Sequence, residues 1–455
     1  MDYQFTETLT ARDVKRHIPH SFIVPANASQ VELYLHFKPE RVEGIQNMLT
    51  LTLFDPNGFR GAGHRGGSTH IVQLTPNSAT PGYLTGPLPA GEWVVQIDTH
   101  MIMSGVACQY ELKITVNEAS SEHPLPTQMP QAYPVPNLPS RGPGWVIGDL
   151  HSHTNHSDAD DRTVAELIQK AREYKLDFIF LTDHNTVSPL EEMYASATPD
   201  LLTLGGLELT TFWGHALCLG TRDWVDWRVR AGTGEMPNIA TATYAKEQVF
   251  IIAHPCAIGD PECTGCKWVY LDMMPGTSHL VEIWNTTWES DSHNEQALML
   301  WYSWLNQGLR MVATAGTDTH GNDDYAHKPG FCHIYVQEFS ERGILKALRA
   351  GHLYLSNGPR LTLTAQGGGS GELMMGDLFV GDVARLALHW SDCPADAQAR
   401  VIADGKPLIQ WVANSGGQRD WTLIAGQVQW CVVEVRSAEG AILAVTNPIF
   451  LRSPH

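Results

Sequence analysis

The sequence predicts an α/β domain between two β-sandwich modules. Three observations predict this arrangement: short alternating strands occur at both ends of the chain, fully apolar strands alternate with helical segments in the middle, and a proline-rich segment precedes that middle part. Fully apolar strands separated by helices are typical of a parallel sheet buried on both faces, whereas alternation is typical of strands with one exposed face.

The length and charge of the chain limit the classes of function. Its 455 residues exceed one compact core, so we expect roughly two to four domains. With 30 Lys and Arg against 49 Asp and Glu, the net charge is −19, which disfavours nucleic acid or a membrane as the main partner. We find no secretory signal and no apolar segment of the ~18 residues that a membrane span needs. These features predict a cytoplasmic protein.

Residues 1–118 are predicted to form the N-terminal β-sandwich. Short apolar runs alternate with polar residues, are separated by Gly, Pro and Asn turns, and show little helical periodicity. The clearest runs are Val31–Phe37, Leu49–Phe54, Trp93–Ile97 and Tyr110–Val116. Residues 119–144 then contain seven prolines, which neither a helix nor a central strand tolerates. This segment is predicted to be a semi-rigid, extended linker.

Residues 145–359 carry the α/β pattern. Thr163 and Glu166 are spaced as a capping box at the start of an amphipathic helix. Apolar strands then lead into polar residues: Phe178–Leu181 precedes His184, Leu202–Leu207 precedes Glu208, Phe250–Ala253 precedes His254, and Met311–Thr317 precedes Asp318. In barrels of parallel strands the chemistry lies at the carboxyl ends of the strands, so we expect these polar residues to meet. From 360 to 455 short strands return and predict the C-terminal β-sandwich.

A His-x-His pair opens the middle part. His151 and His153 follow the strand that begins at Trp145, and alternate side chains of a strand share a face, so the pair could hold one metal ion with Asp158 from the next loop. The spacing alone is weak evidence, because histidine is also an ordinary surface or core residue.

The later strand ends supply more ligands. The full set of candidate metal ligands is His151, His153, Asp158, His184, Glu208, His215, His254, Asp318 and His320. Imidazole and carboxylate together suit Zn, Mn or Fe, and nine ligands exceed the needs of one ion, so the sequence implies two or three divalent ions. Glu208 could bridge two of them, and a hydroxide held between two ions is nucleophilic at neutral pH.

These motifs carry a family resemblance. The segments His151-x-His153, Ser157-Asp158, Thr182–Thr186, Gly206–Glu208, Gly214-His215, Ala253–Pro255 and Gly316–His320 resemble the metal motifs of the PHP (polymerase and histidinol phosphatase) superfamily, in the expected order. The resemblance implies a distorted (β/α)7 barrel with a trinuclear Mn, Fe or Zn centre that hydrolyses phosphoesters. The residues after Thr182-Asp183, the segment Cys263–Trp268 and Leu355–Pro359 are more similar to the CehA/McbA-like branch. That branch is named for carbaryl hydrolases, which cleave a carbamate ester.

Several further residues have a functional and a structural interpretation. Asp183 is expected to orient an imidazole rather than bind metal, and His156 is expected to be a loop residue. Lys328 and Asn285 are the candidates for substrate contact, because a cation suits an anionic group and because Asn285 ends another strand. Cys256, Cys263 and Cys266 permit a small zinc or redox site, but we expect buried free thiols.

The favoured function is that of a metal-dependent phosphoesterase acting on small organophosphates through a metal-bridging hydroxide. Glu208, His215 and Asp318 are the predicted catalytic residues, and the expected partner is a small-molecule ester. One alternative is a carbamate or carboxylic ester hydrolase that uses the same centre. Another is a non-catalytic binding module whose metals are structural.

Overall fold

We analysed a computed structural model that describes residues 1–119, 141–159, 162–288, 292–367 and 370–454. Within these ranges the protein is of the mixed α/β class, and strands outnumber helices. Most of the predicted linker, residues 120–140, lies outside the described residues, so the extended linker stays a prediction.

Ten strands lie before the linker segment. They are β1 (Asp2–Leu9), β2 (His17–Val24), β3 (Ala28–Lys38), β4 (Arg41–Val42), β5 (Ile45–Gln46), β6 (Met48–Asp55), β7 (Gly58–Gly63), β8 (Thr69–Leu74), β9 (Gly91–Met101) and β10 (Cys108–Glu118). Eight of them form two four-stranded antiparallel sheets, β1-β10-β3-β8 and β2-β9-β6-β7, and β4 pairs with β5. Alternate residues of β3, from Val31 to Phe37, are buried and join a core that includes Trp93. We call this part the N-terminal module.

The middle part contains nine strands and five helices among the described residues. They are β11 (Gly144–Asp149), α1 (Val164–Glu173), β12 (Phe178–Leu181), α2 (Leu190–Ala195), β13 (Leu202–Thr211), β14 (Gly214–Leu219), α3 (Glu235–Ala245), β15 (Val249–Ile252), β16 (Leu280–Asn285), α4 (Ser292–Asn306), β17 (Val312–Gly316), β18 (Phe331–Val336), α5 (Glu341–Ala350) and β19 (Leu353–Ser356). Short 3-10 helices cover Ala11–Asp13, Leu271–Met273 and Asp324–His327.

The middle sheet is mixed rather than wholly parallel. Its order is β17-β16-β15-β14-β13-β12-β11-β18-β19. The pairs β11/β12, β12/β13, β15/β16 and β16/β17 are parallel, as expected, but β14 runs antiparallel to both β13 and β15. The expectation of parallel strands throughout is wrong at β14, and also at β18, which runs antiparallel to both β11 and β19. The two residues between β13 and β14 are too few for the crossover that a parallel pair needs, so the chain turns back as a hairpin.

Backbone contacts also join β11 to β17 beyond the ends of these strands. Ser152 and Thr319 form a parallel bridge. The N–H of Asp318 donates to the carbonyl of His151 at 2.9 Å, and the N–H of His153 donates to the carbonyl of Thr319 at 3.1 Å. The first and the last of seven consecutive strands therefore meet at the segments that carry candidate ligands.

The last ten strands extend this sheet and add another. They are β20 (Arg360–Gly367), β21 (Ser370–Met374), β22 (Leu378–Val380), β23 (Val383–Ser391), β24 (Gln398–Ala403), β25 (Lys406–Val412), β26 (Gly416–Ile424), β27 (Trp430–Arg436), β28 (Ile442–Thr446) and β29 (Ile449–Arg452). One sheet has the order β21-β20-β23-β26. The other, β28-β27-β24-β25, is continuous with the middle sheet, because β28 pairs with β19. A core that includes Leu363, Leu388 and Val433 lies between them.

Among the described helices, none is both long and apolar enough to cross a membrane.

The capping box of α1 is confirmed. Thr163 is the N-cap, its hydroxyl oxygen accepts from the N–H of Glu166 at 3.2 Å, and the Glu166 carboxylate accepts from the N–H of Thr163 at 2.8 Å. The apolar side chains of Val164, Leu167 and Ile168 in this helix are buried. The box thus fixes the start of the helix that follows the Asp158 loop.

We expect Thr163→Ala to lower the free energy of unfolding by about 1 kcal/mol, because the N–H of Glu166 loses its acceptor. Urea denaturation would measure the change. Thr241→Ala is the control, because Thr241 is an exposed residue inside α3 whose hydroxyl only donates to the Pro237 carbonyl. Equal effects of the two substitutions would contradict the role of the cap.

Candidate metal centre

All nine candidate ligands lie in one cluster at the carboxyl ends of the middle strands. His151, His153 and Asp158 follow β11, and His184 follows β12. Glu208 lies inside β13 rather than after it, and His215 is the second residue of β14. Because β14 is antiparallel, its first residues lie at the same edge as the last residues of its parallel neighbours. His254, Asp318 and His320 follow β15 and β17.

The carboxylate of Glu208 is at the centre of the cluster. It is fully buried and has five imidazole nitrogens within 3.4 Å. Its Oε2 lies 3.2 Å from His151 Nε2, 3.4 Å from His153 Nε2 and 2.9 Å from His184 Nδ1, and its Oε1 lies 3.0 Å from His215 Nδ1 and 3.2 Å from His254 Nε2. One carboxylate therefore connects five imidazoles from the ends of four different strands.

Two aspartates connect the remaining ligands. Asp318 Oδ1 lies 3.3 Å from His151 Nε2 and 3.0 Å from His153 Nε2. Asp158 lies 3.3 Å from His184 Nε2 and 3.2 Å from His320 Nε2. The ligand atoms form three groups, in each of which all atoms lie within 4.8 Å of one another: His153, Asp158, His184 and His320; His151, His153, Glu208 and Asp318; and His184, Glu208 and His215. The groups share residues, as the ligands of a polynuclear centre do.

The donor set fits divalent metal ions. Buried ring nitrogens of His151, His153 and His215, one oxygen of Glu208 and one of Asp318 have no hydrogen-bond partner. Buried polar atoms without partners are costly, and a cation would satisfy them. Two ligand atoms at about 2.1 Å from one ion lie about 3.0 Å apart in octahedral and about 3.4 Å apart in tetrahedral coordination. The distances from Glu208 to its five imidazole nitrogens, and from Asp318 Oδ1 to His151 and His153, correspond to this spacing. They are 3.0 to 3.4 Å, except for one of 2.9 Å.

The cluster is open on one side. The side chains of His151, His153 and Glu208 have no exposed surface. By contrast, 39% of the His320 side chain and 26% of the Asp158 side chain are exposed. We call this side, bounded by Asp158 and His320, the mouth of the site, because a ligand can reach the cluster there.

The carboxylates hold protons on several imidazoles when no metal is bound. Burial alone would raise the pKa of Glu208, but the charges of His184, His151 and His215 outweigh it and hold that pKa well below its usual range. Burial opposes protonation of His151 and His184, yet nearby carboxylates raise both pKa values well above the ordinary one. The pKa of His320 rises to about 9, because Asp158 outweighs the effect of burial.

The backbone turns sharply at this edge of the sheet. Asn185, His254, Thr286 and Asp318 follow β12, β15, β16 and β17, and all four have positive φ angles, between 25° and 55°. Residues other than glycine rarely adopt this conformation, and such strain is concentrated at functional sites. At His254 and Asp318 the strained residue is itself a candidate ligand.

The sequence analysis missed Glu282 as a site residue. Its buried carboxylate accepts hydrogen bonds from His151 Nδ1 at 3.0 Å, from the N–H of His254 at 3.0 Å and from Asn285 Nδ2 at 3.1 Å. A carboxylate behind a ligating imidazole fixes the ring and increases its basicity. The sequence signal that could have identified Glu282 is its position as the one charged residue in the otherwise apolar run Leu280–Trp284.

Asp183 does not orient an imidazole, so that expectation is wrong. It accepts hydrogen bonds from the N–H and hydroxyl of Thr154, at 2.8 and 2.6 Å, and from the hydroxyl of Ser157 at 2.6 Å. Asp183 therefore holds the loop that carries Asp158. His156, expected to be a loop residue, shares a 2.7 Å hydrogen bond with the Ser188 hydroxyl and belongs to none of the ligand groups.

The two candidate substrate-binding residues occupy different environments. Asn285 is buried, and its amide donates to Glu282 and, at 3.3 Å, to Asp318 Oδ2. This geometry positions Asp318. Lys328 is exposed and follows the 3-10 helix Asp324–His327. Substrate contact by these residues stays a prediction.

Cys263 and Cys266 form a disulfide, so the expectation of free thiols is wrong for this pair. The pair lies close to the cluster. The carbonyl oxygen of Cys266 is 3.2 Å from His254 Nδ1, and Gly265 packs against the carbonyl of Thr211 and the His215 ring.

The geometry defines a candidate polynuclear metal centre, and one comparison with known proteins points to the same class. Residues 149–219, which carry six of the nine candidate ligands, match the family model of the PHP domain. The match does not distinguish the CehA/McbA-like branch, which stays a prediction. No curated protein sequence matches the chain.

Two solved structures have low similarity to the chain. One is a two-domain protein from Bacteroides vulgatus ATCC 8482 that contains a predicted PHP-like metal-dependent phosphoesterase, with 14% identity, a TM-score of 0.36, and coverage of 71% of this chain and 100% of that chain. The other is a proposed metal-dependent phosphoesterase from Bifidobacterium adolescentis ATCC 15703, with 16% identity, a TM-score of 0.26, and coverage of 38% and 88%. Neither establishes the activity of this chain.

We expect Gly316→Ala to weaken metal binding about 10- to 100-fold, as the loss of a supporting interaction behind a ligand does. A Cβ at Gly316 would overlap the Cβ of His151 and the carboxylate of Glu282, and the His151 backbone cannot yield as a flexible side-chain end can. Metal content after dialysis against a weak chelator would measure the loss. Gly358→Ala is the control, because no atom lies within 4 Å of a Cβ there. Full metal content in both variants would contradict the expectation.

We also expect metal binding at pH 7 to release protons. The pKa values of His151, His184, His254 and His320 are raised in the metal-free protein, and ligating imidazoles must be neutral. The apparent affinity should therefore rise with pH, by about tenfold per pH unit for each proton released. Calorimetric titrations with Mn²⁺ in two buffers of different ionisation enthalpy would count the protons. Identical binding heats in both buffers would contradict this.

Proposed function

We propose that the protein is a metal-dependent phosphoesterase that acts on small organophosphates. The observation that carries the proposal is the set of three ligand groups, each pair of which shares one residue: His153, His184 or Glu208. A site for one structural ion would need about four ligands and would be closed. Nine candidate ligands, with a mouth at Asp158 and His320, fit a centre that also binds a substrate.

Each ligand group would hold one divalent ion, so two or three ions are proposed, with Mn, Fe and Zn as the candidates. Bound there, such ions polarise a phosphoryl oxygen and lower the pKa of a water molecule to near neutrality. Glu208 would keep the ions close together, because its two oxygens face different groups of imidazoles. His215 and Asp318 would complete two of the groups, and with Glu208 they form the proposed catalytic set.

The charge of the ligand set favours an anionic substrate. Six imidazoles, neutral when ligating, accompany three ligating carboxylates, so three divalent ions would leave the centre with a net positive charge even when Glu282 and a bridging hydroxide are counted. A phosphate ester is anionic at pH 7, whereas a carboxylic or carbamate ester is neutral. The similarity of residues 149–219 to the PHP domain supports the same choice. Asn285, beside Asp318, and the exposed Lys328 are the proposed substrate contacts.

We further propose that β11–β17 form the distorted seven-stranded barrel and that the site belongs to the CehA/McbA-like branch. The bridge between Ser152 and Thr319, which links the first of these strands to the seventh, supports the barrel. The proposed domain boundaries remain 1–118, 145–359 and 360–455. The continuous pairing of β19 with β28 means that the last two units would share a sheet.

A substrate panel tests the proposed function. Metal-loaded protein should hydrolyse p-nitrophenyl phosphate or bis-p-nitrophenyl phosphate, and Asp318→Asn should lower kcat/KM at least about 100-fold, because Asp318 completes a ligand group. Steady-state kinetics with Mn²⁺ or Zn²⁺ would measure both.

The same panel distinguishes the alternatives. Cleavage of naphthyl acetate or a naphthyl carbamate without turnover of either phosphate ester would show that the protein is a carboxylic or carbamate ester hydrolase and not a phosphoesterase. A binding module with structural metals would hydrolyse none of these compounds. In that case Asp318→Asn would lower the melting temperature of the metal-loaded protein, and neither the unchanged protein nor the variant would hydrolyse any of the compounds. Asp392→Asn is the matched control, because Asp392 is an exposed residue of the last module whose carboxylate pairs with Arg360 and accepts from the Ser391 hydroxyl.

A further inference from the structure

The N-terminal module is docked on the loops that carry the metal ligands. The Gly82 N–H donates to the Ser188 hydroxyl at 3.1 Å, and the Thr186 hydroxyl donates to the Gly82 carbonyl at 2.8 Å. The Thr264 hydroxyl donates to the carbonyl of His100 at 2.8 Å. The contacted loops follow β12 and β15, directly after His184 and His254. The module therefore covers the catalytic edge of the middle sheet.

One side chain of the module reaches the cluster itself. His64 directly follows β7, and its ring centroid lies 4.6 Å from that of His184 and 4.7 Å from that of His100. His184 in turn contacts Asp158, one of the two residues that bound the mouth. His64 thus lies beside the ligands nearest to the open side of the site.

Packing alone does not account for a histidine at this position. His64 is buried, and its Nδ1 has no hydrogen-bond partner. An unsatisfied buried nitrogen costs free energy that an apolar ring of the same shape would not cost. The neighbouring His100 also has a buried Nδ1 without a partner among the described residues, but its Nε2 shares a 3.0 Å hydrogen bond with the Thr50 hydroxyl and its ring stacks on Trp227. An imidazole carries an N–H on at least one of its two ring nitrogens in either protonation state, so the ring of His64 can donate a hydrogen bond.

The backbone around His64 is held in place. Gly61 has a φ of 148°, and a Cβ there or at Gly63 would overlap the ring of Tyr83. The Tyr83 hydroxyl donates to the carbonyl of Leu51 at 3.1 Å, which fixes the ring inside the module. Next to His64, Arg65 donates to the Pro81 carbonyl at 2.7 Å and to the Asn155 carbonyl, in the Asp158 loop, at 3.4 Å. His64 is therefore preorganised relative to both sides of the interface.

We propose that His64 is a substrate-binding residue of the active site, whose imidazole N–H donates a hydrogen bond to an oxygen of the bound phosphate ester beside His184. The inference rests on the proposed phosphoesterase function. It makes the N-terminal module a wall of the site, so the site is incomplete without residues 1–118.

His64→Phe tests the assignment, because phenylalanine keeps the ring contacts and removes the N–H. We expect kcat/KM for bis-p-nitrophenyl phosphate to fall about 10- to 100-fold, mainly through a higher KM, as the loss of a hydrogen bond to a charged group does. The Kd of inorganic phosphate, measured by calorimetry on the metal-loaded protein, should rise by a similar factor. His64→Gln, which keeps an N–H donor, should recover part of the loss.

His70→Phe is the matched control. His70 is also a buried histidine of the N-terminal module with an unpartnered ring nitrogen, but it stacks on Phe37, away from the cluster. This variant should keep the KM and the phosphate Kd of the unchanged protein. Metal content should be the same in all variants.

Each outcome decides the assignment. If the unchanged protein hydrolyses the diester and His64→Phe equals it in KM and phosphate Kd, the assignment of His64 is wrong and the proposed function stands. If the unchanged protein hydrolyses no phosphoester but binds phosphate, and only His64→Phe weakens that binding, His64 is an anion-binding residue and the phosphoesterase proposal is wrong. Equal weakening in His64→Phe and His70→Phe, or loss of metal in His64→Phe, would assign His64 a structural role.

Discussion

The carboxylate of Glu208 is fully buried, and the surrounding structure must compensate its negative charge. Removing a carboxylate from solvent costs several kcal/mol unless partners replace the water. Here the partners are five imidazoles that come from the ends of β11, β12, β14 and β15, so no single strand could supply them. The alignment of these strand ends at one edge of the sheet is therefore the condition on which the centre depends. Bound cations would satisfy the same carboxylate and the orphaned ring nitrogens together.

Supporting residues keep the ligands oriented. Glu282 accepts hydrogen bonds from the His151 ring and from the backbone N–H of His254. Arg162 donates to the carbonyl of His153 and to the Thr319 hydroxyl, and so links the first strand to the seventh. These side chains are buried and lie behind the ligands rather than facing the mouth. Ligand geometry set in this way costs no reorganisation when a metal or substrate binds.

Much of the site could be predicted from the sequence because its ligands follow strands that are easily recognised. His184 and His254 come shortly after short, fully apolar runs, and helices lie between those runs. Strand direction was harder to predict: His215 belongs to a hairpin strand, and its sequence offered no turn signal that would distinguish a hairpin from a crossover. The continuity of β19 with β28 depends on long-range pairing, which local patterns do not encode.

The proposed role of His64 could not be predicted from sequence patterns. It is separated from His184 by more than a hundred residues, among them the proline-rich segment, and it stands after a strand of an unrelated sheet. His70 is likewise a buried histidine of the N-terminal module, and no sequence motif marks either residue as part of the site. Only the docking of one module on another gives the two histidines different surroundings. Sites built across module boundaries are in general invisible to motif analysis, because each half looks incomplete.

The pairing of β19 with β28 also limits where the chain can be shortened. A chain ended after Pro359 would keep every candidate ligand, yet it would leave β19 as an unpaired edge with its N–H and C=O groups exposed. Such edges are templates for pairing with other chains, so the shortened protein would tend to self-associate through this strand. Ten strands that carry none of the candidate ligands thus protect the ligand-bearing part from aggregation.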